Sequence, residues 1–119
     1  YFLYTSHGEM ALNETEQKRM VKVLKALANP IRLKMIASLY EKPKNVYDLA
    51  KELDLPYPLA HLHLKSLKIL RLVKEVREER RVEGMPTVKY YAPSDFEFSL
   101  TPRSIRELYT GKSGGEKNG

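Results

Sequence analysis

Between Leu55 and Lys74 the chain carries no aspartate or glutamate, while Lys65, Lys68, Arg71 and Lys74 are all basic. A helical run of one charge sign suits contact with phosphates, which supply the sequence-independent part of nucleic-acid affinity. His61 and His63 invite a metal reading, but residues two apart on a helix point about 200° away from each other and cannot chelate one ion. His63 reads instead as a packing residue near the core edge, and His61 as one facing solvent or DNA. His7 is given no role. The chain has no cysteine, no glycine-rich phosphate loop and no carboxylate pair at a metal spacing. Its serines lie in turns or on charged helices with no histidine placed to activate them. No catalysis, metal or cofactor is expected.

The elements that must position this basic run can be read on either side of it. Val46, Leu49, Ala50 and Leu53 recur at i, i+3, i+4 and i+7, and a new periodic run begins after Leu55-Pro56, so 46–72 reads as a helix-turn-helix. Upstream, Asn13 and Glu16 form an N-cap pair for a first helix over about 13–28, lined by Met20, Leu24, Leu27 and Ala28. Asn29-Pro30 stops that helix and starts a second, whose stripe is Ile31, Met35, Ile36 and Leu39 and which ends near Tyr40. Residues 41–45 form a polar linker. Downstream the period changes from 3.6 to 2: 73–77 and 87–92 read as strands, with Gly84-Met85-Pro86 as a loop signal between them. Phe96 to Leu100 alternates and reads as a half-buried strand. Thr101-Pro102 opens a short helix with Ile105, Leu108 and Tyr109 on its apolar side. The expected fold is mainly α with a small antiparallel β-wing, a winged helix-turn-helix followed by a strand and a short helix.

A chain of 119 residues with 42% hydrophobic content is about one domain, and at that size a dimer interface would add useful buried surface. The domain is expected over 13–110, between a tail at 1–12 that departs from the rest, with Met10 as the natural start, and a flexible tail at 111–119. A formal charge of +6 and a pI near 9.5 suit a polyanionic partner. No apolar run reaches the roughly 18 to 20 residues that span a bilayer, and the absence of cysteine suits a reducing compartment, so a cytoplasmic protein with no membrane partner is expected.

Two stretches resemble a known family. Leu27-Ala28-Asn29-Pro30-Ile31-Arg32-Leu33-Lys34-Met35-Ile36 is similar to the opening of ArsR-type winged-helix regulators. Asp48-Leu49-Ala50 with His63-Leu64-Lys65-Ser66-Leu67 resembles their helix-turn-helix, and the likeness runs over 21–93. It implies a homodimeric, DNA-binding transcription regulator with its first and last helices at the dimer interface. In the family's metal-sensing branch a Cys-x-Cys pair opens the third helix. Here Asn45 and Tyr47 stand there, and the last helix has no histidine, so metal sensing is not implied.

In a winged helix the N-terminal outward face of the second motif helix meets base edges in the major groove. The core stripe of that helix is Ala60, Leu64 and Leu67, with Leu70 at its edge. The candidates for base contact are Tyr57, Pro58, Leu59, His61 and Leu62, with Lys65 and Lys68 on phosphates, Arg80 and Arg81 at the wing tip, and Lys89 on the returning strand. Side chains able to bond guanine or adenine bidentately are missing from the face, which leaves tyrosine and histidine as donors or acceptors and leucine or proline for thymine methyls. The interface with a second copy is expected at Met20, Val23, Phe96, Phe98, Ile105, Leu108 and Tyr109. The alternative is a winged-helix protein-interaction module using the apolar outward face of 57–69. A third reading has Tyr90, Tyr91, Phe96 and Phe98 lining a cavity for a small-molecule effector, and an effector that is itself a protein is also open.

Overall fold

The computed structural model describes residues 14–110; the expected Asn13 cap and both tails lie outside them. Its elements are α1 (Glu14–Leu27), α2 (Pro30–Glu41), α3 (Val46–Leu53), α4 (Tyr57–Ile69), β1 (Val73–Glu79), β2 (Val88–Pro93) and α5 (Pro102–Thr110). They fall into two units, one of 14–25 with 95–110 and one of 26–94.

The larger unit is the winged helix-turn-helix. The Asn29-Pro30 junction starts α2 as expected, and Asn29 is also its cap, with Oδ1 accepting from the amides of Ile31 and Arg32. Asn45 caps α3, accepting from the Asp48 amide at 2.7 Å while its Nδ2 donates to Asp48 Oδ2 at 3.0 Å. Both motif helices end in one way without glycine. Asp54 and Arg71 take left-handed φ values of 57° and 63°, and the amides beyond them, Leu55 and Leu72, reach back to the carbonyls of Ala50 at 2.8 Å and Leu67 at 2.9 Å. Those bonds satisfy carbonyls that a helix end otherwise leaves open. The interior holds Met35 and Leu39 of α2, Leu49 of α3, Ala60, Leu64 and Leu67 of α4, and Leu72, Val73 and Tyr90.

β1 and β2 pair antiparallel from Val73↔Pro93 to Glu79↔Val88, with an irregularity between Glu75 and Arg77 that leaves Val76 unpaired. Such a bulge bends and twists the hairpin. On the opposite edge of β2, Lys44 and Tyr91 exchange backbone bonds of 3.2 and 2.9 Å. The side chain of Lys44, only 9% exposed, donates to the Ser38 carbonyl at 3.0 Å, Ser38 Oγ at 2.6 Å and Glu52 Oε1 at 2.8 Å, while Ser38 Oγ donates to Glu52 Oε2 at 2.7 Å. The residue expected in a polar linker thus joins α2, α3 and β2.

In the smaller unit, 96–100 forms no strand. Phe96 and Phe98 are half-buried and Asp95, Glu97 and Ser99 exposed, as the alternation implies, but only Glu97 makes a bridge. Alternation sets which side chains turn inward, whereas a strand also needs a neighbouring backbone to pair with. Thr101 caps α5 as expected, and Ser104 completes the reciprocal pair: its amide donates to Thr101 Oγ1 at 3.0 Å and its Oγ accepts from the Thr101 amide at 2.9 Å. The buried face of α5 is Ser104, Glu107 and Leu108, leaving Ile105 and Tyr109 exposed.

Replacing Lys44 by methionine keeps the aliphatic bulk and removes the donor. A loss of about 2 kcal/mol in stability is expected, read as a lower urea midpoint, with a smaller loss for Glu52→Gln because that carboxylate is partly in water.

Candidate nucleic-acid interface

The start of α4 is set by Pro56 and Pro58, which favour a helical first turn but supply no side-chain cap. The buried stripe of the helix is Ala60, His63, Leu64 and Leu67. Tyr57, Pro58, His61, Leu62, Lys65 and Lys68 are exposed and Leu59 is half-buried, so the predicted outward face is outward, apart from Leu59.

One side of this face borders the wing. Tyr57, His61, Lys65 and Lys68 line an open groove together with Lys89 and Tyr91 of β2 and Tyr47 at the start of α3. The rings of Tyr57 and His61 lie 6.0 Å apart and 22° from parallel. Lys68 Nζ stands 5.6 Å over the ring of Tyr91, and burial followed by the nearby Glu75 raises the phenol of Tyr91 above its usual range. The structure therefore gathers five predicted residues, Tyr57, His61, Lys65, Lys68 and Lys89, around one groove. Sequence reasoning gave Tyr47 no role and placed Tyr91 at an effector cavity instead, because only the register of β2 and the Lys44 bridge bring them to the helix. Tyr90, expected beside Tyr91 around a cavity, is buried with the Arg77 guanidinium 4.1 Å from its ring centre.

The wing tip stands outside this groove. The Met85 amide closes onto the Val82 carbonyl at 3.1 Å, with Gly84 at φ +82° supplying the left-handed position a tight turn needs. Arg80 donates to the Met85 carbonyl, so one of the two predicted tip arginines braces the loop, and Arg81 is exposed. Glu79 pairs with Arg77 at 2.9 Å, and Glu78 accepts from the Thr87 hydroxyl at 2.8 Å. Two of the wing carboxylates are thus engaged along the hairpin.

These features agree with known proteins. The sequence pattern of the arsR family of bacterial regulatory proteins matches residues 29–75. The chain is also 37% identical over 90 residues to an HTH-type transcriptional regulator of Methanocaldococcus jannaschii, covering 76% of this chain and 92% of that protein. The chain belongs to the ArsR family of winged helix-turn-helix transcriptional regulators. A further relative is the HTH-type transcriptional repressor SmtB of Mycobacterium tuberculosis, 38% identical over 61 residues, or 51% of this chain and 45% of that one. Among solved structures, the homodimeric winged helix-turn-helix DNA-binding domain of a possible ArsR-family regulator from Mycobacterium bovis matches with a TM-score of 0.57 and 27% identity over 72% of this chain and 73% of that one. In this ArsR-family chain, Asn45 serves as the α3 cap and Tyr47 lines the groove. Among the described residues no cluster of histidine, cysteine or carboxylate side chains has the makings of a metal site, and no helix is long and apolar enough to cross a membrane.

His63 lies behind the reading face, 8% exposed. Arg32 Nε donates to its Nδ1 at 3.0 Å, which requires an unprotonated nitrogen, and Arg32 Nη1 reaches the Ala26 carbonyl at 3.5 Å. Burial first, and the Arg32 charge second, hold the imidazole below its ordinary pKa of 6.5. The unfolded chain therefore takes up this proton more readily than the folded one. Its contribution to stability is complete above pH 6.5 and is lost as pH falls below that value toward the folded pKa. Urea midpoints measured between pH 7.5 and 5 should fall with pH, and the His63→Gln variant should show a shallower fall.

Proposed function

We propose that this ArsR-family regulator binds double-stranded DNA as a homodimer, with the two α4 helices in successive major grooves of a pseudo-palindrome, about one helical turn apart. The observation that carries this is the exposed groove beside α4, where Lys65, Lys68 and Lys89 converge on a helix without a carboxylate. In this reading Lys65, Lys68 and Lys89 take phosphates and Arg81 extends the contact from the wing, with Arg80 shaping the tip. Tyr57, Pro58, His61 and Leu62 meet bases at the start of α4, and Leu59, half-covered, contributes an edge.

The second copy is assigned to an apolar groove of the smaller unit, lined by Met20, Val21, Leu24, Leu100, Ile105, Leu108 and Tyr109. Val21, Leu100, Ile105 and Tyr109 are 43 to 59% exposed, a cluster that gains from burial in a partner. Val23, expected at the interface, is fully covered within the chain and offers a partner nothing. The homodimeric domain from Mycobacterium bovis supports this assembly.

Two measurements test the proposal. Affinity for duplex DNA should fall steeply between 50 and 200 mM salt, and Lys65→Ala should reduce the slope of log K against log salt by about one while weakening all sequences alike. A flat salt response would remove the phosphate assignments. Ile105→Glu should shift the protein toward monomer in analytical ultracentrifugation and weaken operator binding with it. Retention of a full-strength dimer would place the interface elsewhere.

A further inference from the structure

The groove beside α4 accounts for Tyr57, His61, Lys65 and Lys68, whose side chains turn toward the wing. It leaves unexplained the stripe facing directly outward, Pro58 and Leu62, with Leu62 57% exposed. α4 carries no arginine, asparagine, glutamine or carboxylate, and the side chains on it that could bond a guanine edge twice are Lys65 and Lys68, which line the groove toward the wing. The hydroxyl of Ser66 is turned back to donate to the Leu62 carbonyl at 3.2 Å. At Pro58 and Leu62 the helix therefore presents hydrocarbon, with His61 beside them as a donor or acceptor. The lysines flanking that hydrocarbon and the absence of carboxylates on α4 favour a polyanion as the occupant, since a protein partner would match those ammonium groups only by placing carboxylates opposite each of them.

In the major groove one base carries an apolar group, the C5 methyl of thymine. We propose that this protein selects its half-site chiefly by thymine methyl groups packed against Pro58 and Leu62, with His61 supplying a single hydrogen-bonded position beside them. The proposal rests on α4 being the helix that enters the major groove. The preferred DNA is then thymine-rich opposite the start of α4. Its recognition depends on a methyl group that leaves Watson–Crick pairing untouched.

The test uses the full chain and a duplex recovered by in-vitro selection from random sequence. Thymines of one half-site are replaced by deoxyuridine, first together and then singly, and affinity is read by fluorescence anisotropy at fixed salt. Wild-type protein should lose about fourfold in affinity for each contacted methyl removed. Leu62→Ala, at a site exposed enough to leave folding intact, should bind the thymine duplex more weakly and respond less to deoxyuridine. Undiminished affinity of wild type for the fully substituted half-site, on a sequence that selection did enrich, overturns the methyl readout while leaving DNA binding in place. Failure of selection to enrich any sequence overturns both.

Discussion

The ammonium group of Lys44 sits in the interior among the Ser38 carbonyl, the Ser38 hydroxyl and the Glu52 carboxylate, and the geometry of the reading face depends on it. Burying an unpaired charge is costly, and that cost is offset only where the partners are in place together. Ser38 comes from α2, Glu52 from α3, and the backbone of Lys44 is bonded to Tyr91 of β2. One residue thus ties α2, α3 and the wing strand together. The hydrogen bond from Lys44, then that from Ser38, holds the Glu52 carboxyl below its ordinary pKa, so the charge pair persists into moderately acidic solution.

The same arrangement distributes charge across the larger unit. Glu52 is spent on Lys44, Glu79 on Arg77, and Asp48 takes part in the α3 cap. What α4 and β2 present to solvent beside the groove is lysine and aromatic surface. In the proposed reading, lysines beside the groove draw in a polyanion and fix its register, while the outward stripe of Pro58 and Leu62 supplies discrimination. Affinity and specificity would then be carried by different sides of a single helix.

Behind that helix, the Arg32 to His63 bond performs a second coupling. Arg32 holds both the imidazole on α4 and the last turn of α1 through the Ala26 carbonyl. The Asn29-Pro30 junction, legible as a stop and start, places Arg32 three residues past the cap, where its side chain can reach both. This ArsR-family chain uses the opening of α3 for a cap and an aromatic wall, where α3, α4 and β2 meet.

The local code of the chain was nearly complete in its sequence. Periodicity placed α1 to α4, the Asn29-Pro30 junction and the Thr101 cap preceded the helices they start, and alternation with Gly84 marked the wing, because each of these depends on residues within a few positions of one another. The outward side of α4 was equally readable, since helical spacing alone separates Leu62 and Lys65 from Leu64 and Leu67. What the sequence could not decide rests on contacts between distant segments. Lys44 looked like linker until Ser38 and Glu52 closed around it. Tyr47 and Tyr91 became part of the groove only through strand register, and Phe96 to Leu100 kept its inward and outward alternation with no ladder beyond the single bridge at Glu97. Asp54 and Arg71 adopted left-handed turns with no glycine to announce them, because the packing of the motif outweighs the modest cost of that conformation. Tertiary structure decided which charges are buried, which aromatics converge and which apolar face remains open, since those outcomes depend on what lies across from each residue.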